Sequence, residues 1–481
     1  MINRHHPAAP IRGVAAAACL LIAVGCVSAP PPQAISQTTV PEEFSYDVST
    51  ADVPAEWWTQ FEDPALQTLV IRALKQNRSL EQVRADVAAA DAVLRRARLD
   101  SSYSTGASLG ASVGQSVGAN RDVSLSGNGS LGADWEFDAF DRIEAQIQSA
   151  EFSLEAAQQA RRDVAVIVAA QTADAYVDLR GGQIRLDVAQ RNAELQKQGL
   201  DLLLQLFENG RATQLDVDRA NSQYQTTLAS LPTFEASVEV AVARLGALLG
   251  EPSLMSDAEL AALLRSEGDI PELQGPILAG SPDLMIRRRP DIRRAEALLG
   301  QRLALGQVAR ARLFPTLTFS ADVFAGFAEG RDVADSFGFG IGPMLVWEGP
   351  DLRRVEADID VADADTRGAV AFYEQTVFDA LSEVESALSQ YQQELRRRGN
   401  LVEAAASAER ASELALVRFE EGLDDFLDVI DAQRTLLDAQ DRLEASRLQS
   451  AKAAIQTYRA LGGMWRDDQL EAVRTGQEDR T

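Results

Sequence analysis

Histidine, cysteine and lysine are almost absent from this chain of 481 residues. Both histidines, His5 and His6, and both cysteines, Cys19 and Cys26, lie near the N-terminus. The rest of the chain therefore offers no Ser-His-Asp or Cys-His catalysis, no histidine metal site and no disulfide. None of the three lysines follows a glycine-rich phosphate loop. We expect no enzyme activity, no metal and no noncovalent cofactor.

Basic residues are outnumbered: there are 46 Lys and Arg against 72 Asp and Glu, a net charge of −26. A surface this acidic is repelled by phosphate backbones, so no nucleic-acid partner is expected. The hydrophobic fraction of 46% is that of a folded protein rather than a disordered one.

The N-terminus has the pattern of an export signal. Residues 14–24 form an apolar run of 11 residues, too short to span a bilayer as a helix. The run ends at Gly25-Cys26, which resembles a bacterial lipobox. This predicts a lipoprotein signal peptide over residues 1–25 and a covalent lipid, such as palmitate, on Cys26. The alternative is an ordinary secretory signal with an incidental cysteine, and either version predicts export.

The body of the chain is a duplication. Residues 207–221 match residues 419–433 at seven of fifteen positions, an offset of 212 residues. The same offset pairs Trp135-Glu136 with Trp347-Glu348. Recurrence at one offset indicates two copies of a unit of about 210 residues.

The export signal and the duplication together divide the chain into six parts. They are the signal peptide (1–25), an acylated N-terminus with a Pro-rich tether (26–53), a first repeat (54–258), an inter-repeat equatorial segment (259–289), a second repeat (290–462) and a C-terminal tail (463–481).

Each repeat contains two segments in which apolar residues alternate with small or polar ones. The alternation predicts strands at about 102–115, 122–137, 315–327 and 336–348. Runs of about ten residues with this period are typical of transmembrane β-strands; the alternative is a pair of soluble hairpins with one buried face. On the membrane interpretation, the apolar face is lipid-facing and includes Leu109, Val113, Leu125, Phe319 and Val323.

Four strands are too few to close a membrane barrel, since the smallest have about eight. An open edge in lipid would leave backbone groups without hydrogen bonds. The strands must therefore be shared between chains: two chains would supply eight strands, and three would supply twelve with room for a lumen.

The remaining pattern is helical. Proline is absent from about residue 142 to 207 and from about 351 to 419, which predicts two helices of roughly 100 Å. Each helix is predicted to turn at a glycine, Gly210 or Gly422, and to return as the second arm of a hairpin. Such lengths favour coiled-coil packing.

The second hairpin turn is rich in aspartate. Asp428 and Asp431 are three residues apart, so they share one face of a helix. Asp424 and Asp425 add charge nearby or cap the helix. The plain alternative is a solvated acidic helix start, where aspartate is favourable in the first turn.

Several motifs, in order, resemble those of the TolC-type outer membrane efflux proteins, in the lipoprotein branch with OprM and NodT-like proteins. They are Trp57-Trp58, Arg288-Arg289-Pro290-Asp291-Ile292, Phe314-Pro315, the run from Tyr373 to Glu385, and Leu461-Gly462-Gly463-Met464-Trp465. The resemblance covers essentially everything after the tether.

The resemblance implies an α+β membrane protein: a trimeric 12-stranded transmembrane β-barrel with four strands per chain, continued by a long α-helical coiled-coil barrel with an irregular equatorial belt. It implies a lipid-anchored outer membrane channel of a Gram-negative bacterium, with a large periplasmic portion. Such a channel passively exports drugs or other small molecules from an inner-membrane pump of the RND type and a periplasmic adaptor.

The resemblance also assigns residues. Asp428 and Asp431, with Asp424 and Asp425 beside them, are expected at the periplasmic entrance, and the tips at Gly210 and Gly422 are expected to contact the adaptor. The competing hypothesis is a non-channel structural protein, either a trimeric adhesin or a periplasmic coiled-coil adaptor. An adaptor does not need four membrane strands, and an adhesin does not need a duplicated helical hairpin.

Overall fold

The computed structural model describes residues 41–46, 48–100, 103–115, 123–251, 257–266, 268–328, 337–347 and 352–463. The predicted signal peptide, Cys26 and the tail beyond Gly463 lie outside these residues.

The described residues form a 3-10 helix (Trp57–Phe61), nine α-helices and four β-strands. The helices are α1 (Pro64–Gln76), α2 (Arg78–Asp100), α3 (Arg142–Glu208), α4 (Gln214–Leu248), α5 (Ala258–Arg265), α6 (Pro282–Arg288), α7 (Pro290–Ala311), α8 (Leu352–Glu420) and α9 (Phe426–Ala460). The strands are β1 (Ser104–Gln115), β2 (Val123–Phe137), β3 (Thr316–Ala328) and β4 (Phe337–Val346).

The strands form one antiparallel sheet in the order β1-β2-β3-β4. Leu109 lies opposite Gly129, Val113 opposite Leu125, and Leu131 opposite Val323. Residues that face each other across neighbouring strands point to the same side of the sheet. The pairing therefore confirms that the predicted apolar residues share one face. The other face is polar: the hydroxyls of paired serines, such as Ser108 and Ser130 at 2.8 Å, bond across the strands.

The two long helices, α3 with 67 residues and α8 with 69, are continuous. The glycine pair at 181–182 does not interrupt α3; it allows a neighbour to approach. A Cβ atom at Gly181 would lie 2.9 Å from Leu448 of α9, closer than side chains tolerate.

Both predicted hairpin turns are present. Gly210 and Gly422 have φ values of 70° and 73°, the left-handed conformation in which glycine ends a helix without the steric cost of a Cβ. The chain therefore reverses direction at equivalent points in the two repeats.

The helices pack side by side in two sets. On the side of the long helices that adjoins the sheet, α2 packs on α3, α3 on α7, and α7 on α8. Towards the hairpin turns, α4 packs on α3, α3 on α9, and α9 on α8. None of the described helices combines the length and the apolar character needed to cross a bilayer.

The main hydrophobic core lies where the two sets meet. Trp57 and Trp58 are fully buried there, and Trp57 stacks on Tyr458 of α9 with ring centroids 5.5 Å apart. Burial of these large apolar rings stabilises the packing of the 3-10 helix and α1 on the long helices.

The predicted tether is shorter than expected. Phe44, Tyr46 and Val48 pack against the core, Val53 is completely buried, and the Ser49 backbone pairs with the equatorial segment near Leu278. Alternating apolar residues give this stretch one face that packs on the core.

Arginines hold the equatorial segment on the helices. Arg180 of α3 donates to the Ser266 carbonyl at 2.6 Å. Arg447 of α9 contacts Asp269 at 2.6 Å and Glu272 at 2.9 Å. These bonds satisfy the polar backbone and carboxylates of a segment that has little regular structure of its own.

Candidate functional site

The tips of the two hairpins pack on each other through a small apolar cluster. Leu203, Val217, Phe426 and Val429 are buried in it. Phe426 fits against Gly199, where a Cβ would lie 3.3 Å from its ring. This contact fixes which way the first turn of α9 faces.

Asp428 and Asp431 lie on the opposite face of that turn. Since Phe426 and Val429 point into the cluster, the two carboxylates point outward and are exposed. Asp431 is 3.4 Å from Arg434, an exposed pair that stabilises little. Within the described residues, the Asp428 carboxylate accepts no hydrogen bond. The structure thus brings together the two aspartates that the sequence paired.

Asp424 and Asp425 behave differently from each other. Asp424 forms an ion pair with Arg418 at the end of α8, and its hydrogen bond to that guanidinium lowers the pKa of Asp424. Asp425 occupies the N-cap position of α9, but its side chain makes no capping bond. Of the two, Asp424 is neutralised by a local partner and Asp425 is exposed beside Asp428.

A second polar site lies at the start of α7, within the arginine-rich motif that the sequence shares with the family. Arg289 is 7% exposed and donates to Asp291, to Glu383 at 2.8 Å and to the Ala460 carbonyl. Burial alone would lower the pKa of Arg289, but these carboxylates more than offset it and the pKa is raised. Gly462 lies against it: a Cβ there would be 2.7 Å from Arg289 Cγ.

This junction explains the arginine-rich motif. Pro290 begins α7 and Asp291 is in its first turn, positions at which proline and aspartate favour a helix start. Arg289, Glu383 and residues 460–462 come from three separate sequence motifs and meet here. Only the folded chain shows that they serve one buried contact.

Among the described residues, no group of three or more His, Cys, Asp or Glu side chains is placed to hold a metal ion. The features that stand out are the two-faced sheet, the paired hairpins and the exposed aspartates at one tip.

The family model "Outer membrane efflux protein" matches residues 69–251 and 282–463, one match in each repeat. The chain belongs to the outer membrane efflux protein family. Its location is accordingly the outer membrane, and its function is efflux.

Similar proteins cover nearly the whole chain. Nodulation protein T of Rhizobium leguminosarum bv. viciae is 29% identical over 461 residues, 94% of this chain and 93% of that protein. The pyoverdine export outer membrane protein OpmQ of Pseudomonas aeruginosa is 30% identical over 475 residues, 95% and 98% of the two chains.

Among solved structures, the outer-membrane channel OprN matches with a TM-score of 0.80 and 33% identity, over 90% of this chain and 99% of that one. The predicted fold class, that of a trimeric channel with a β-barrel and a helical coiled-coil barrel, is confirmed by this likeness. The efflux protein described here is therefore a channel, in a family of channels rather than of enzymes.

Proposed function

We propose that this channel is the outer membrane duct of a tripartite efflux system that releases small molecules delivered by a periplasmic adaptor and an inner-membrane pump of the RND type. Transport through the channel is passive, as the family resemblance implies.

One observation carries the proposal: in the part of the chain that the structure describes, neither the sheet nor either helical set closes on itself. The sheet ends at β1 and β4, and the helical sets end at α2 and α8 or at α4 and α8. Unpaired strand edges are costly in lipid, so the flanks must be covered by further copies of the same chain. Three copies give twelve strands around a lumen.

The flanks of the helices also favour lateral assembly. Val93 of α2 and Phe372 and Phe378 of α8 are each more than half exposed in the single chain. Large apolar side chains that are exposed in the single chain are stabilised when a neighbouring copy buries them.

At the hairpin tips, the proposed roles follow the exposed chemistry. Asp428 and Asp431 of three chains would form two rings of carboxylates at the periplasmic entrance, with Asp425 beside them and Asp424 held by Arg418. The turns at Gly210 and Gly422 are the points at which the adaptor would make contact.

The lipid anchor remains part of the proposal. Ser45 donates its amide to Glu385 at 3.0 Å, and α8 rises about 50 Å between its start at Leu352 and Glu385. The 19 residues from Cys26 to Ser45 span at most about 65 Å. The chain is long enough for acyl chains on Cys26 to reach the membrane that contains the sheet.

The test is electrical. The purified, detergent-extracted protein should insert into a planar lipid bilayer and give discrete conductance steps, and cross-linking should yield a trimer. A structural adhesin or an adaptor would give a cross-linked species without conductance steps. That result would disprove the duct.

A further inference from the structure

A buried carboxylate lies in the contact between the two hairpins. Asp174 of α3 is 7% exposed and faces α9. Gln456 of α9 donates to its Oδ2 atom at 2.7 Å, while Oδ1 is buried without a hydrogen-bond partner among the described residues. A buried carboxylate oxygen with no donor is costly when the group is charged.

The nearby cations are bound to another carboxylate. Lys452 of α9 lies 2.8 Å and 3.1 Å from the two oxygens of Asp178, one turn along α3 from Asp174. Arg244 of α4 also contacts Asp178, at 3.5 Å. The charged groups that act on Asp174 are Lys452, Asp178 and Arg244. The two cations contact Asp178 directly, so Asp174 receives only part of their attraction.

The second repeat does not contain this arrangement. At the offset of 212 residues, Ser386 and Gln390 take the places of Asp174 and Asp178. The pair of carboxylates is therefore not a requirement of the helical hairpin itself.

We propose that Asp174 is a proton-operated latch between the two hairpins. With a proton on its carboxyl group, Asp174 keeps its bond to Gln456 and α9 stays packed on α3. Without the proton, the charged carboxylate favours a looser contact that admits water. The latch is independent of the role proposed for the tip aspartates.

The direction of the effect follows from the burial. Burial, the main cause, raises the pKa of Asp174 to about 6, against the attraction of Lys452. A group whose pKa is raised on folding stabilises the packed state at low pH, and this stabilisation is lost as the pH rises through about 6. The hairpins should hold together more tightly in an acidified periplasm.

Amide hydrogen exchange of α9 around Gln456, in the purified channel, measures the latch. Each variant is compared with wild type at the same pH, which cancels the intrinsic pH dependence of exchange. With a pKa near 6 in the packed state and about 3.9 in the loose state, the opening equilibrium should rise about tenfold from pH 5 to pH 8. Asp174→Asn should abolish this rise and stay protected throughout.

Two further variants keep the test sharp. Asp178→Asn frees Lys452 to bind Asp174, so the transition should move to lower pH. Gln456→Leu removes the hydrogen-bond donor to the carboxylate, so the transition should move to higher pH. Because this variant keeps Asp174, it also tests the latch if Asp174→Asn does not fold. Asp441→Asn is the control: it removes an ion pair between the same helices, to Arg185 at 2.8 Å, and should leave the transition unchanged.

Three results would overturn the latch: the tenfold rise persisting in Asp174→Asn, protection of wild type increasing with pH, or a transition that Gln456→Leu does not move.

Discussion

Asp216 and Asp428 occupy equivalent positions in the two repeats, yet only Asp216 is bound to the N-terminus of its own helix. Asp216 accepts hydrogen bonds from the Thr213 amide at 3.1 Å and the Thr213 hydroxyl at 2.6 Å, a capping box. The residue equivalent to Thr213 is Asp425, which has no hydroxyl proton to donate and repels a second carboxylate. Asp428 is therefore left facing solvent.

This difference predicts the ion selectivity of the channel. Asp428→Ala/Asp431→Ala should move the reversal potential in an asymmetric salt gradient towards zero and weaken block by multivalent cations from the periplasmic side. The physical reason is that six carboxylates near one axis attract cations. Planar-bilayer recordings of the intact trimer measure both effects.

Asp216→Ala is the matched control for the entrance. It should cost about 0.5–2 kcal/mol of helix stability through loss of the cap, but leave the selectivity unchanged. If the double variant keeps wild-type selectivity, or if Asp216→Ala changes it equally, Asp428 and Asp431 do not line the constriction.

The sheet register predicts opposite outcomes at adjacent residues. Leu109→Arg places a charge on the apolar face and should cost about 2–4 kcal/mol at mid-membrane, whereas Ser108→Arg points to the polar face and should cost far less. Folding titrations into lipid vesicles give both values. Equal costs would contradict the assignment of the two faces.

Replacing two neighbouring side-chain amides of α3 with leucine should change the free energy of unfolding in opposite directions. Gln196 is 4% exposed, and both its amide atoms lack hydrogen bonds among the described residues. Asn192, one turn earlier, donates to Gln440 at 2.9 Å. Gln196→Leu should raise the free energy of unfolding by about 1–3 kcal/mol, and Asn192→Leu should lower it by a similar amount. Thermal unfolding in detergent compares them; a loss of stability in Gln196→Leu would mean that water or another group satisfies the amide.

The buried junction at Arg289 predicts a large loss of stability. Arg289→Met removes the buried cation that binds Asp291 and the Ala460 carbonyl, and it leaves Glu383 with only its pair to Arg459. We expect a cost of about 1.5–3 kcal/mol. Arg287→Met, two residues away, removes an exposed pair with Asp283 and should cost at most about 1 kcal/mol. Chemical denaturation compares the stability of the two variants. Similar denaturation midpoints would show that the junction contributes little to stability.

The anchor is tested by chemical labelling. Cells supplied with a clickable fatty acid should label the wild-type channel and not Cys26→Ser, because Cys26 is the only cysteine after the predicted signal peptide. The barrel should still hold Cys26→Ser in the membrane. Undiminished labelling of the variant would show that the lipid is attached elsewhere or that the lipobox interpretation is wrong.

Much of the fold was predictable because its signals are periodic and repeated. Strand β2 was predicted at about 122–137 and lies at Val123–Phe137, since alternation of period two marks each residue's face. The turns at Gly210 and Gly422 were predictable because a helix that reverses needs a residue with positive φ. The packed stretch around Val53 was not, since the core that buries its apolar residues is built from helices that are distant in the sequence.

The sequence alone determined the duplication, the two-faced strands, the long hairpins and the aspartate-rich tip, because these are properties of residue spacing along the chain. The tertiary structure decided which polar side chains bond to each other. Arg289 and Glu383 are 94 residues apart and meet at 2.8 Å, and Asp174 meets Gln456 across 282 residues. Such pairs depend on where helices cross, so the spacing of residues within one helix cannot specify them. The same reason separates Asp216 from Asp428: identical residues in matched positions differ in role because their capping partners differ.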